Sequence, residues 1–360
     1  MTMVQVTKNK VLIAMSGGVD SSAAALLCMQ AGYACEGVTL CLHPEGTAPY
    51  AAAVAEAEDA ARVAAHLGFP HRTVYLAEEF RERVTEPFIS AYERGLTPNP
   101  CILCNRHIKF GALLDLADAL GCDKLVTGHY ARICEQDGVY SLLRAACPEK
   151  DQSYVLFGMG QRELSRTLFP LGELASKDEA RALAREAGLD TCRKRDSQDI
   201  CFIPDGDYVA YIEAQRGTSY PEGNFVTEDG RVLGRHRGII CYTPGQRRGL
   251  GLSLPAPLYV KSKSPEANEV ILTEEAGLYG SSLTLGDVSW CKGTAPCTSF
   301  RATVKARYRA KELPALVTLL EGGEVHLSFD GELPRAAAPG QAAVLYLGDE
   351  VLGGGTILPL

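Results

Sequence analysis

Three short stretches hold the residue types from which a reaction could be built. The first is Ser16-Gly17-Gly18-Val19-Asp20-Ser21, which directly follows the apolar run Val11–Met15. Its glycines let backbone N–H groups close on an anion, and a helix opening near Ser22 would add the positive potential of its N-terminus. No Gly-Lys-[Ser/Thr] ends the loop, so it is not a Walker A loop. A plain glycine turn with a Ser/Asp helix cap is the alternative. The second stretch is Thr97-Pro98-Asn99-Pro100-Cys101-Ile102-Leu103-Cys104-Asn105. Two prolines stiffen it, and Cys104 enters a helical stretch with Arg106, His107 and Lys109 close behind. That setting predicts a lowered thiol pKa and more of the nucleophilic thiolate. The third is Asp196-Ser197-Gln198-Asp199-Ile200-Cys201-Phe202-Ile203, preceded by Arg193-Lys194-Arg195. Cys201 reads as a sulfur carrier, a resolving partner for another thiol, or a buried side chain.

The elements that must position these stretches fall into an α/β part and a β part. Residues 10–125 alternate short apolar strands (KVLIAM, YACEGVTLCL, HRTVYL, DKLVTGHY) with longer helix-period segments. This is the pattern of βαβ units and of a doubly wound parallel sheet. Ser176–Gly188 reads as a further helix, with Ser176 and Glu179 as a capping-box pair and Gly188 at the C-cap. From Gly217 onward the chain shows short β-branched segments broken by Gly and Pro, including GIICYTPGQ. They favour two small, mainly-β domains, with the break between them near Glu274–Ser282. The expected layout is an α/β domain over 1–216, a central β domain over 217–280 and a C-terminal β-barrel domain over 281–360.

Composition narrows the class. The 360 residues hold 46% hydrophobic and 22% charged side chains, within the range of folded protein. Thirty-six basic against 44 acidic residues give a formal charge of -8. A globally basic nucleic-acid binder is thereby excluded, but a local basic face is not. Arg301, Lys305, Arg307, Arg309 and Lys311 lie in one stretch without an acidic residue, and Arg231, Arg235, Arg237, Arg247 and Arg248 in another. Such clusters suggest a focused phosphate-binding face; a charged face balanced by distant carboxylates is the alternative. No apolar run approaches a membrane span, and VLIAM is too short for a secretory core, so cytoplasm is expected and no membrane partner. Thirteen cysteines, an odd number, argue against a disulfide scaffold and for thiol chemistry or metal binding at a few of them.

The motifs SGGVDS, TPNPxxxCN, TGHY at Thr127–Tyr130, KDQSY at Lys150–Tyr154, DSxxICFI around Cys201, YTPGQRRGLG at Tyr242–Gly251, VKARYR at Val304–Arg309, PGQ at Pro339–Gln341 and LGGG at Leu352–Gly355 occur in that order. The first resembles the loop of the PP-loop ATP pyrophosphatases, which split ATP between the α and β phosphates. Together the motifs resemble the bacterial tRNA-specific 2-thiouridylases of that superfamily. The resemblance implies that Ala14, Met15, Ser16, Gly17, Gly18, Val19, Asp20 and Ser21 hold ATP. Leu40 and Gly128 would line the adenosine side, and Mg²⁺ would neutralise phosphate charge with Asp20 as a ligand through water. It implies adenylation of the oxygen on C2 of the wobble uridine (U34), then displacement of AMP by sulfur to give 2-thiouridine. Asn99, Pro100 and Cys101 would lie against the target base. His129, Lys150, Asp151, Gln152, Arg307, Tyr308 and Gln341 match tRNA-contact positions. Cys104 matches the nucleophile, and Cys201 the cysteine that carries persulfide sulfur. The implied partners are tRNAs of the Lys, Glu and Gln type and a sulfur donor such as a cysteine desulfurase or relay protein.

One residue departs from the family pattern, which has Asp where this chain has Cys101. Three thiols, Cys101, Cys104 and Cys201, could hold a [4Fe–4S] cluster with one free iron, or exchange disulfides among themselves. Two further readings use part of the same residues. A PP-loop amidating or carboxylate ligase would need the ATP loop alone. A non-catalytic Fe–S or tRNA-binding protein would leave that loop unexplained.

Overall fold

A computed structural model describes residues 9–193, 200–203, 205–253 and 256–359. The apolar runs form the expected parallel sheet: β1 (Lys10–Ala14), β2 (Ala34–Cys41), β3 (His71–Tyr75), β4 (Lys124–Val126) and the two-residue β7 (Thr167–Leu168). Between β4 and β7 the chain makes an antiparallel hairpin, β5 (Arg132–Gln136) and β6 (Val139–Leu143). Val11, Leu12 and Ile13 are all fully buried because both faces of the sheet are covered. Leu12 packs with Val38, Phe110 and Leu125 on one face, Val11 and Ile13 with Ala24, Val63 and Val126 on the other. Burial of each such side chain contributes roughly 1.5–3 kcal/mol.

The strand order is β3-β2-β1-β4-β7, all parallel, so the direction of winding reverses between β1 and β4. At such a reversal the connections leave to opposite sides and open a crevice at the strands' carboxyl ends. Helix α1 (Val19–Gln30) begins there, and α2 (Ala48–Leu67) covers β2 and β3, with Thr47 Oγ1 capping its start by accepting from Tyr50 N at 3.2 Å. The helix Lys177–Glu186 opens as expected on Ser176, whose hydroxyl accepts from Glu179 N. The Glu179 carboxylate returns to Ala175 N, one residue earlier than a capping box requires. The C-cap is Ala187, with Gly188 following in the left-handed region.

Beyond Gly217 the chain is mainly β. One four-stranded sheet contains β8 (Gly223–Thr227), β9 (Val232–His236), β10 (Tyr259–Ser264) and β11 (Glu269–Thr273), in the order β10-β11-β8-β9. Ile239–Cys241, read as part of a β segment, is instead one buried 3₁₀ turn. Pro244, three residues on, lacks the N–H a continuing ladder would need. The last strands are β12 (Ser282–Trp290), β13 (Ser299–Lys305), β14 (Leu313–Leu319), β15 (Val325–Phe329), β16 (Ala342–Leu347) and β17 (Glu350–Ile357). They close on themselves through β12–β17 pairing. Sequence patterning gave no sign that the hairpin β5–β6 joins this sheet, yet β6 pairs with β17 through Leu143↔Glu350 and Leu142↔Val351. Arg144 secures the junction with two bonds to the Glu312 carboxylate, at 2.5 and 2.6 Å, while its guanidinium stacks 3.8 Å from the Tyr346 ring. One core therefore runs from Leu12 and Phe110 to Val344 and Tyr346.

Candidate active site

The Ser16–Gly18 turn lies at the carboxyl end of β1, facing the crevice at the β1/β4 reversal. It is tied to α1 by Ser16 N donating to Ser21 Oγ at 3.2 Å and by the Ser21 and Ser22 hydroxyls donating to Gly18 O at 3.1 and 2.9 Å. Ala14 and Met15 hold the turn to the sheet: Met15 N donates to Val38 O and its carbonyl accepts from Thr39 Oγ1 at 2.7 Å. Leu40 is half-buried near the carboxyl end of β2. Gly128, just past β4, lies against the first turn of α1; a Cβ there would stand 3.0 Å from both the Asp20 carbonyl carbon and Ser21 N. Val19 is buried beneath the turn. A glycine-lined turn before a helix N-terminus, at a winding reversal, fits the phosphates of ATP.

Asp20 is engaged by two side chains the sequence did not link to it. Tyr130 Oη donates to Oδ1 at 2.9 Å, and Lys177 Nζ forms an ion pair with Oδ2 at 2.8 Å. Lys177 is the first residue of its helix, and only its position after the cap Ser176 marked it in sequence.

The cysteine stretch begins where Asn99 Oδ1 accepts from Cys101 N at 3.1 Å, with Pro100 in the first helical position. The helix then runs through a π-helical segment, Cys104–Ala112, into Leu113–Ala119. The expected lowering of the Cys104 pKa is not found. Its thiol sits a turn inside the helix rather than at its start, is only 8% exposed, and is raised by burial against the opposing pull of Lys109. Cys101 and Cys201 are exposed residues, but the protein atoms crowding each thiol raise it as well, Cys201 to about 12. The three thiols and the Lys109 ammonium influence one another electrostatically and so share one neighbourhood. In a π-helix, bonds run from i to i+5, which brings Lys109 over the face that carries Cys104. Lys194–Asp199, which lead into Cys201, lie outside the described residues. Among the described residues no three His, Cys, Asp or Glu side chains converge on a single metal ion.

His129 joins the two halves of the site. Lys109 Nζ lies 3.3 Å from its Nε2; an ammonium only donates, so Nε2 accepts and Nδ1–H donates to Thr127 Oγ1 at 2.8 Å. The ring is buried between Phe110 and Phe169, and burial holds its pKa well below the ordinary value.

The other residues matched to tRNA contacts divide into inward and outward groups. Asp151 is buried and accepts from Ala145 N, Ser153 N and Ser153 Oγ, at 2.8–3.2 Å, while Gln152 exchanges bonds with Tyr130 N and O. Both organise the loop after Lys150, which is half-buried. Arg307 and Tyr308 are exposed, with the Tyr308 ring edge-on to Tyr154. Gln341 points back into the protein, donating to Thr97 O at 2.8 Å. Within the basic clusters, Arg301, Lys311 and Arg235 have carboxylate partners in Asp330, Glu332 and Glu222, and Arg309, Arg231, Arg237, Arg247 and Arg248 are exposed.

Comparison with known proteins agrees with this arrangement. Residues 9–205 match a family described as tRNA methyl transferase HUP domain, 210–274 its PRC-barrel domain, and 280–357 an aminomethyltransferase beta-barrel domain. Proteins named tRNA-specific 2-thiouridylase MnmA align along almost the whole chain. The one from Trichlorobacter lovleyi is 46% identical over 97% of each chain, and the one from Carboxydothermus hydrogenoformans 44% identical over 97% of this chain and 98% of its own. The Chloroflexus aurantiacus protein is 47% identical over 96% of this chain and 98% of its own. With a glycine turn at the winding reversal, a shared cysteine neighbourhood and relatives of this kind along almost the whole chain, the chain belongs to the tRNA-specific 2-thiouridylase family.

Proposed function

We propose that the protein transfers sulfur to C2 of the wobble uridine of tRNA at the expense of ATP. The observation that carries this reading is the stretch Thr127–His129. Gly128 lies against the ATP turn's helix while His129 bonds to Lys109 of the thiol neighbourhood, so activation and sulfur delivery are neighbours. ATP supplies the adenylyl group that turns the uridine oxygen into a leaving group, with Mg²⁺ neutralising phosphate charge. The division at 216/217 and 280/281 separates the ATP part from two β parts that present basic residues to the RNA backbone.

In the first step the uridine O2 attacks the α-phosphorus and pyrophosphate leaves. The terminal sulfur of a persulfide on Cys201 then forms a bond to C2, and AMP departs. Cys104 attacks Cys201 Sγ, closing a Cys104–Cys201 disulfide as the C2-bound sulfur leaves as 2-thiouridine. An external thiol reductant restores both cysteines. The raised thiols are protonated at rest, and Lys109 is the cation on hand to favour their anions. Cys101 supplies a third thiol in the same neighbourhood. The sulfur source is a cysteine desulfurase or relay protein, and the compartment is the cytoplasm. Incubation with tRNA, ATP and a persulfide donor should yield 2-thiouridine by nucleoside mass analysis, with loss in Cys104→Ala and Cys201→Ala. Pyrophosphate exchange independent of tRNA would instead support a carboxylate or amidating ligase. Stoichiometric iron with broad visible absorption in anaerobic protein, abolished by Cys101→Ala, would overturn the persulfide route.

A further inference from the structure

The segment Leu96–Pro98, immediately before the cysteine loop, is gripped from two sides by parts of the chain distant in sequence. From the central sheet, Lys263 on β10 reaches into the junction. Its ammonium donates to Tyr242 O at 2.9 Å and approaches Leu96 O at 3.5 Å, 5.6 Å from the centroid of the Tyr92 ring. Enclosure there is tight enough to lower its pKa to about 8. From the last sheet, Pro339 O accepts from Thr97 N at 2.8 Å, and Gln341 Nε2 donates to Thr97 O at 2.8 Å and Pro98 O at 3.4 Å. Gly340 makes this approach feasible: at φ +89 it has no Cβ, and one would stand 2.9 Å from Leu96 Cβ and Thr97 N. Downstream, Arg106 ties the cysteine helix to the same barrel through Asp287 at 2.7 Å and Ser289 at 2.9 Å.

We propose that Lys263 and Gln341 are positioning residues that hold the Leu96–Pro98 backbone and thereby fix where Cys101 and Cys104 stand. An enclosed lysine ammonium is costly to desolvate unless its donors are used, and here the acceptors are backbone carbonyls of the two segments being joined. Both β parts thus bear directly on the loop that carries the thiols. Gln341, whose amide nitrogen donates to Thr97 O and Pro98 O, acts on the loop. This inference rests on the sulfur-transfer reading of the cysteine loop.

The test uses full-length Lys263→Met and Gln341→Leu, one from each side of the grip. The expected result is a fall of at least tenfold in kcat for 2-thiouridine formation, with tRNA Kd, its salt dependence and ATP Kd within twofold of the parent. Amide hydrogen exchange at Cys101 and Ile102, whose N–H groups bond to Asn99, should quicken at least tenfold while exchange in β1 and α1 is unchanged. Unchanged exchange in both variants would overturn the inference, whatever the activity. A weaker tRNA affinity and shallower salt slope in Gln341→Leu, with normal exchange, would return Gln341 to the RNA surface. If the parent forms no 2-thiouridine, the functional reading fails, and exchange still decides whether the grip orders the loop.

Discussion

Replacing Lys177 by Met separates the contribution of a single cation at the ATP turn. The Lys177 side chain is 10% exposed and that of Asp20 32%, so their 2.8 Å contact is shielded from water more than a surface ion pair. Hydrogen bonds to a charged group typically contribute about 1.5–3 kcal/mol net. Methionine keeps most of the side-chain volume but takes the ammonium away from Asp20, whose Oδ1 still accepts from the Tyr130 hydroxyl. Loss of the pair should therefore lower unfolding free energy by about 1.5–3 kcal/mol. If about 2 kcal/mol of it also holds α1 in register for adenylation, tRNA-dependent pyrophosphate release falls roughly 30-fold, since 1.36 kcal/mol is a factor of ten. Thermal unfolding and pyrophosphate release measure the two effects, with tRNA binding as the control expected to stay constant. Tyr130→Phe removes a hydrogen bond to the same carboxylate and should cost a comparable amount, about 1.5–3 kcal/mol. A Lys177→Met protein with parental melting temperature and turnover within twofold would refute the reasoning.

Gly128→Val should weaken ATP binding at least tenfold while tRNA affinity holds, because the added atoms meet backbone of α1; equilibrium nucleotide titration tests it. Reversing charge in Arg307→Glu should reduce tRNA affinity and lessen the slope of log K against log salt by roughly one unit, and an unchanged slope would remove Arg307 from the phosphate footprint. Acidification should destabilise the fold through His129. Its folded pKa is lowered by burial, so below the ordinary histidine value near 6.5 the unfolded chain takes up a proton that the native state refuses. That contribution is absent above pH 7 and reaches about 1.4 kcal/mol at pH 5.5, and denaturant unfolding of His129→Gln should lack it.

The α/β part was legible because strands buried on both faces, such as Val11–Ile13, read as continuous apolar runs, and because the SGG turn has to follow a strand. The cysteine stretch was legible as chemistry but misjudged in electrostatics. Nearby Arg106, His107 and Lys109 suggested a lowered Cys104 thiol, whereas burial, invisible in local sequence, outweighs Lys109. Side chains whose meaning depends on distant partners were the least legible. Lys177 gave no sign of meeting Asp20, nor Lys263 of reaching Leu96, since neither periodicity nor spacing encodes a contact across more than a hundred residues. Gln341 was found through its motif, yet the motif could not say that its amide turns inward.

The β5–β6 hairpin has a consequence for how the chain acquires its fold. Ser141 bonds to Glu350, 209 residues further along, and the shared core awaits Val344, Tyr346 and Val351. During synthesis the first sheet can wind as soon as it emerges, but the exposed edge of β6 must wait for β17. Closing so long an interval is an entropic search that local helix formation does not require, so docking of the last strands should be the slow phase of refolding. Until then β6 is an unpaired strand edge able to template contacts between nascent chains. Chains ending before β17 would retain that edge permanently, and their failure would appear as aggregation even with an intact ATP turn.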